Sequence, residues 1–492
     1  MIAYTIFIFL LLIVLLRYVP QFRLLGANPW VMPIGFTIKF AVGLFFIYVY
    51  SYHYGVGELT ADASAFLHDS KELNKVFYTS PLDYFRFMLG IENADMVCNY
   101  LADTEQWDYY GIKWFNDSRN ILRLHSIIHF FSFGYQSIHL LIISLISILG
   151  LRLMVVATSP YFKIPTILAF FALLLMPSAL FWSSGILKEP LIYFSLGLFL
   201  YAILGQFSLI KKIVLLLLSV FCLLNIKFYL VFCIIPGIVV YQLYKRIQPL
   251  KKAVIVVCIL TIGTLLSLLT PPLKPVVNKL SFQQYDFMNI GKGGVYARAD
   301  TCIYVIYNEN LPYVTINKKD STVVLSKDVW GEYTHAYELK DKRKCLIPAN
   351  SNETPWILYY DGIFSGSYIE LTPIYDSSLQ LLLNIPEALE NTFLRPYFND
   401  PPHSIYKYFS MIDNYGLLLV FIVVLLFFRR KLSTIEIALI AALVTFSFVL
   451  ALLIGWTTPV IGAIVRYKIP IQLAMMLITI IVFDFKKVMK NG

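Results

Sequence analysis

Apolar residues in this chain come in long uninterrupted runs rather than in the short alternations of a soluble fold. A membrane span needs about 20 mostly apolar residues, within a range of about 17–25. Runs of that kind cover 2–17, 33–52, 136–157, 164–182, 190–208, 212–225, 228–244, 253–270, 414–429, 434–454 and 467–484. The pattern predicts a polytopic α-helical membrane protein with about eleven transmembrane helices. The sixth and seventh runs are short and meet at the polar break Asn225-Ile226-Lys227. Short or broken spans often line a cavity. The first run lacks a basic leader and a small-residue cleavage site, so it reads as a retained span.

Two long polar intervals separate the runs. Residues 53–125 are rich in Asp, Glu and aromatics, which predicts short helices lying at the membrane interface. In 271–413, VYARADTCIYVIY, PYVTI and STVVL read as strands and LQLLLNIPEALENTFL as a helix, a small mixed α/β domain. The organisation is then helices in 1–52, a loop in 53–125, helices in 126–270, the α/β domain in 271–413 and helices in 414–492. Cys302 and Cys345 fall in that domain. They pair if the compartment is oxidising and stay free otherwise, and the sequence leaves both open. There is no CxxC, no zinc-spaced Cys/His cluster, no P-loop, no GxGxxG after a strand and no internal repeat.

Composition agrees with this class: 58% of the 492 residues are hydrophobic and 14% charged, with a mean hydropathy of +0.70. The net charge of +10 does not point to nucleic acid. The bases gather in alternate loops: Arg17 and Arg23; Arg152 and Lys163; Lys211 and Lys212; Lys245, Arg246, Lys251 and Lys252; Arg429, Arg430 and Lys431; Lys486, Lys487 and Lys490. The positive-inside rule makes those loops cytoplasmic. The N-terminus then lies outside, the C-terminus inside, and both polar intervals are extracytoplasmic. This fits a multi-pass protein of the cytoplasmic (inner) membrane.

Candidate chemistry collects on the outer side. FWSSGILKEP carries Lys188 and Glu189 between two apolar runs. The same side receives Glu58, Asp62, His68 and Asp69 in GELTADASAFLHDS, Lys227 in NIKFY, Arg395 in ENTFLRPYF, and Arg466 with Lys468 in GAIVRYKIP. Acids on the first loop and single bases on later ones suit an anionic substrate. Arg presents a planar fork to a phosphate, and Lys a point charge. A carboxylate among them serves as general base or holds a divalent cation. Each residue also has a plainer reading. Charges at span ends snorkel, which covers Lys188, Glu189 and Arg466. Asp62 is a favoured helix cap, and Pro396 in RPY ends a helix. His125 and His129 share a helix face, with His139 ten residues on. That spacing suits a metal or ordinary packing.

Three general features of the chain resemble the GT-C superfamily of integral-membrane glycosyltransferases, which use polyprenyl-phosphate-linked sugars. An acid-bearing loop after an early span, many spans and a late outer domain are the general features. DASAFLH at 62–68, PSALFWSSGILKE at 177–189, IKFYLVFCIIPG at 226–237, LENTFLRPYF at 389–398 and VRYKIP at 465–470 are also similar to bacterial membrane proteins of surface-polysaccharide assembly. The resemblance implies a catalytic carboxylate in the first outer loop, Asp62 first, then Glu58 and Asp69. A metal, if one is used, falls to Asp62 with His68. Lys188, Glu189, Lys227, Arg395 and Arg466 would bind phosphate and substrate. The sequence departs from the superfamily in spreading its acids out and in placing an extra span before the loop.

The leading expectation is transfer of a sugar from a polyprenyl-phosphate donor to a glycan or glycoconjugate acceptor. One alternative is a repeat-unit polymerase or ligase with a pyrophosphate-linked donor, relying on Arg395 and Arg466. The other is a non-enzymatic transporter of a lipid-linked glycan, or a membrane subunit of a secretion machine.

Overall fold

The computed structural model describes residues 2–107, 116–246, 274–299, 302–306, 312–317, 322–326, 329–335, 345–349, 356–362 and 364–485. The chain divides into two compact units. One comprises Met1–Leu250, Gly416–Ser447 and Ile469–Gly492; the other comprises Lys251–Tyr415 and Phe448–Lys468.

The first unit is helical. α1 (Ile2–Tyr18) and α2 (Val31–Tyr48, continued by a π-helical turn to His53) precede a group of shorter helices: α3 (Ala61–Thr79), α4 (Pro81–Met88), α5 (Ala94–Tyr100) and α6 (Asp117–Ser132). α7 (Gln136–Thr158), α8 (Thr166–Leu174), α9 (Pro177–Trp182), α10 (Glu189–Leu204) and α11 (Leu209–Arg246) follow. The loop helices begin where the sequence caps them. The side chains of Ser80, Asn93 and Asn116 accept from the backbone N–H groups of Asp83, Met96 and Arg119. Their apolar faces share one core: Phe66, Leu73 and Val76 of α3, Tyr84 and Phe87 of α4, Val97 of α5, Trp107, and Ile121 and Leu122 of α6. The short helices expected in 53–125 are therefore present, and they form a packed group.

Five helical stretches among the described residues are long and apolar enough to cross a membrane: Val31–His53, Gln136–Tyr161, Leu209–Arg246, Ile405–Phe427 and Thr434–Thr457. Ile461–Tyr467 and Ile469–Val482, bent by 45° at the break between them, make a sixth. α1 and α10 are shorter apolar helices. The chain is a helical membrane protein, as its apolar runs predict. The run at 164–182 breaks into α8 and α9 because Pro177 opens a new helix instead of continuing the old one. The run at 253–270 lies outside the described residues.

α11 contains a bend that its length conceals. Lys227 leaves helical geometry, with φ −152° and ψ 80°. Lys212 Nζ donates to the carbonyl of Ile203 (2.7 Å), and Tyr241 lines one cavity with Ile203 and Leu204. A straight helix would carry Tyr241 about 43 Å from Lys212, so the chain turns back at Lys227. Two short helical arms meeting at Asn225-Ile226-Lys227 are what the polar break predicts. Basic loops gather at the opposite end of this unit. Arg152 Nε donates to Arg23 O (2.7 Å), Arg23 Nε to Arg17 O (2.7 Å), and Arg430 Nη2 to Tyr161 O (2.8 Å).

The second unit holds α12 (Lys274–Lys292) and a seven-stranded antiparallel sheet of order β3-β4-β7-β1-β2-β5-β6. The strands are β1 (Gly294–Ala299), β2 (Cys302–Ile306), β3 (Val314–Asn317), β4 (Thr322–Leu325), β5 (Val329–His335), β6 (Cys345–Ala349) and β7 (Trp356–Gly362). VYARADTCIYVIY is thus a hairpin, with Ala299 opposite Cys302. Cys302 pairs with His335 of β5, and Cys345 pairs with Tyr333 on the other side of that strand. Two strand spacings, about 9.6 Å, separate their backbones.

The expected helix at 379–394 divides at Asn384 into α13 (Ser378–Leu383) and α14 (Ile385–Phe393), whose first turn contains Pro386. α15 (Ile405–Phe427), α16 (Thr434–Thr457), α17 (Ile461–Tyr467) and α18 (Ile469–Val482) complete the chain.

Candidate functional site

The turn after α9 answers for the odd composition of FWSSGILKEP. Ser183, Ser184, Gly185, Ile186 and Leu187 are all buried. Ile186 and Leu187 pack in one core with Phe46 of α2, Ala63 of α3 and Leu140 of α7. The backbone comes so close to α2 that a Cβ on Gly43 would lie 2.6 Å from Ser184 O. Lys39, within α2 and 1% exposed, fastens the same turn: its Nζ donates to Ser183 Oγ at 2.6 Å and faces the ring of Tyr193 at 4.9 Å. Lys188 then emerges at the N-terminal edge of α10. Because Ala63 shares that core, Asp62 in the first turn of α3 is held on the same side. Ala61, just before it, sits in the left-handed region at φ +57°. Strained backbone of this kind clusters at functional positions.

Lys188 and Lys227 meet on one atom. Their Nζ atoms lie 2.8 and 3.1 Å from the same Oδ2 of Asp117, the first residue of α6. Lys188 also donates to Ser118 Oγ at 3.1 Å and lies 5.5 Å from the centre of the Phe66 ring. Two further contacts hold α6 in place. Asn120 Nδ2 donates to Asn225 O and Oδ1, each at 3.0 Å. Arg119 Nη1 donates to the buried Glu92 Oε1 at 3.2 Å. Burial pushes the Asp117 carboxyl up, but Lys227 and Lys188 together outweigh that and hold it at about 2. Burial and the neighbouring Lys227 push the Lys188 ammonium down, while Asp117 and, more weakly, Asp62 support its charge.

The structure therefore brings together Lys188 and Lys227, leaves Asp62 near enough to act on the Lys188 charge, and adds Asp117, which the sequence reading passed over. The signal was faint: Asn116-Asp117-Ser118 reads as an ordinary helix start. The other sequence candidates are placed differently. Asp69 is fully buried; its Oδ2 accepts from the backbone N–H of Glu105 (3.1 Å) and Gln106 (2.7 Å), and its Oδ1 faces His68 Nδ1 at 3.0 Å. It pins 105–106 to α3, a structural task. His68 is half exposed, and Glu58 is exposed in the turn before α3. Glu189 is buried at the start of α10.

Arg395 and Arg466 belong to the second unit. The Arg395 guanidinium pairs with Asp400 and donates from Nε to Asn391 Oδ1 at 2.8 Å. Arg466 lies in the last turn of α17. Beside it Lys468 Nζ donates to Arg395 O (2.6 Å) and Asn414 Oδ1 (2.8 Å). Among the described residues no group of three His, Cys, Asp or Glu side chains is placed to hold a metal ion.

α10 and α11 link the lysine pair to an apolar, partly open cavity. Leu196 to Leu204 of α10 and Ile234 to Tyr241 of α11 line it, with residues of α7, α16 and α18. At 1.5 Å per residue its near edge lies about 10–12 Å along the two helices from Lys188 and Lys227. One pair of helices thus carries cations at one end and hydrocarbon-lined space farther down. Comparison of the chain with family models, with curated proteins and with solved structures gives no match.

Proposed function

We propose that this protein is a membrane glycosyltransferase that moves a sugar from a polyprenyl-phosphate-linked donor to an acceptor on the outer face of the cytoplasmic membrane, in surface glycan assembly. The observation that carries this reading is the convergence of Lys188 and Lys227 on α10 and α11, above a cavity that those same helices line. An ammonium pair suits a lipid phosphate, and an apolar cavity in a bundle suits its hydrocarbon chain. Asp62 is the general base that takes the proton of the acceptor hydroxyl, and the lysines stabilise the charge that develops on the departing phosphate. The reading includes eleven spans, an outer N-terminus, a cytoplasmic C-terminus, and the lysine pair on the extracytoplasmic side. The gathering of Arg17, Arg23, Arg152 and Arg430 at the opposite end supports that orientation. The polymerase alternative leans on Arg395, whose guanidinium is already engaged by Asp400 and Asn391.

The test is a mass-spectrometric profile of polyprenyl-linked saccharides and surface glycans in a strain lacking the gene, complemented with wild-type protein or with Asp62→Asn at matched expression. The expected result is a lipid-linked intermediate that accumulates in the deletion, clears with wild type and persists with Asp62→Asn. A deletion without any glycan change sinks the reading.

A further inference from the structure

The lysine pair is already occupied by a carboxylate of the chain itself. Asp117 Oδ2 stands within hydrogen-bond distance of both ammonium groups. The side chains of Lys188 and Lys227 are 10% and 12% exposed, whereas that of Asp117 is 36% exposed. The carboxylate is the most accessible member of the cluster. An anion arriving from solvent or from the bilayer surface meets Asp117 before it meets either lysine, and it needs the same N–H donors. Lys188 keeps a second partner in Ser118 Oγ, so it stays oriented when the carboxylate leaves. Asp117 is at the very start of α6, and helix ends fray more readily than interiors.

We infer that Asp117 is an internal competitor for the phosphate site: the anionic head of the substrate displaces its carboxylate from Lys188 and Lys227, and the residue thereby sets the affinity threshold of the site. This rests on the reading above that the two lysines take a phosphate. It deepens that reading by making Asp117 a specificity-determining residue rather than a strut. Removing a charge that opposes the ligand at this distance strengthens binding, whereas removing a strut weakens it. The two roles therefore predict opposite signs.

The experiment measures binding of inorganic pyrophosphate to the purified full-length chain in detergent by titration calorimetry, at fixed ionic strength and pH 7.5. Wild type is compared with Asp117→Asn, Asp117→Ala, Lys188→Gln and Lys227→Gln, each confirmed as monodisperse. The expected result is about tenfold tighter binding for both Asp117 variants, equal to about 1.4 kcal/mol, and tenfold or greater loss for each lysine variant. Asp117 variants that bind pyrophosphate equally or more weakly overturn the inference, even where the lysine variants lose affinity and the phosphate reading stands. Lysine variants that bind as wild type does overturn both. Should either Asp117 variant fail to fold, hydrogen exchange on wild type decides. Pyrophosphate should raise exchange at the start of α6, and protection there overturns the inference. Competition by a long-chain isoprenyl phosphate in the same micelles assigns the anion to a lipid head, and its absence assigns it to a soluble phosphate compound. The gain in the Asp117 variants supports displacement in either case.

Discussion

Asn120 of α6 donates to both the backbone oxygen and the side-chain oxygen of Asn225, each at 3.0 Å. Asn225 lies two residues before the bend of α11, and Asn120 lies one helical turn beyond Asp117. This contact sets the distance between Lys227 and Asp117. Asn120→Ala removes the side-chain donor that reaches Asn225, so the bend loses this anchor. The expected cost is about 1–3 kcal/mol, the range for leaving buried polar partners unmade. Thermal unfolding in detergent reads the cost. Combining Asn120→Ala with Lys227→Gln should cost less than the sum of the two single changes, because both act on one linkage.

Lys39 predicts a split between stability and activity. Its ammonium is buried within α2, and among the described residues its neighbours are Ser183 and the ring of Tyr193, with no carboxylate in contact. A buried charge without a counter-ion is costly, and an intramembrane ionisable residue is a functional candidate for that reason. Lys39→Met should leave the midpoint of thermal unfolding unchanged or raise it. Turnover should fall at least tenfold, since the turn that presents Lys188 is no longer fastened to α2. A variant that melts lower and keeps full turnover contradicts this role.

Much of this arrangement is legible in the sequence, and the rest is hidden for identifiable reasons. The long apolar helices Val31–His53, Gln136–Tyr161, Ile405–Phe427 and Thr434–Thr457 show because run length is a one-dimensional property. The reversal at Lys227 shows because Asn225 and Lys227 interrupt hydrocarbon. The partner of the two lysines does not show. Asp117 sits in a polar stretch whose acid reads equally well as a helix start, and only tertiary packing brings α6 onto α11. The partner of Arg395 is hidden in the same way: the residue looks like an isolated base, but a turn places Asp400 against it. β5 and β6 escape notice because VWGEYTH and CLIPA carry Gly, Pro and charge where a strand would alternate.

Arg395 itself offers a test of structural against substrate-binding roles. Its guanidinium pairs with Asp400, and the other carboxylate oxygen of Asp400 accepts from Tyr397 N at 2.7 Å. Arg395→Gln strands the Asp400 carboxylate, at a cost of about 2 kcal/mol for a charged hydrogen-bond partner. The double variant Arg395→Gln with Asp400→Asn should recover part of the lost stability, because no unpaired charge is left. A substrate contact behaves otherwise: the single variant would melt as wild type does while losing activity, and Asp400→Asn would rescue nothing.

Three histidines weld α3, α6 and α7 behind the lysine site, and they make the fold acid-sensitive. His125 Nδ1 lies 2.8 Å from His139 Nδ1, His139 Nε2 3.0 Å from Ser132 Oγ, and His129 Nε2 3.1 Å from Ser70 Oγ on α3. A bond between two imidazole nitrogens needs one to donate and the other to accept, so at least one ring of the pair is neutral. Burial, with a smaller contribution from His129, pushes His125 down to about 3. Burial also lowers His129, and Lys71 adds to that, while its bond to Leu67 O works against it. The sign follows directly. The unfolded chain takes up protons below about pH 6.5 and the folded chain does not. Stability from this cluster is complete above that pH and is lost as pH falls from about 6.5 toward 3. One such histidine contributes a slope of about 1.4 kcal/mol per pH unit. His125→Asn puts an amide where Nδ1 stood and removes the titration. It should lower stability at pH 7.5 slightly, because the smaller side chain leaves space. Between pH 6 and 4 its melting temperature should fall less steeply than that of wild type, by the slope of about one proton. An unchanged slope would show that His125 is not the group whose protonation loosens the contact of α6 with α7.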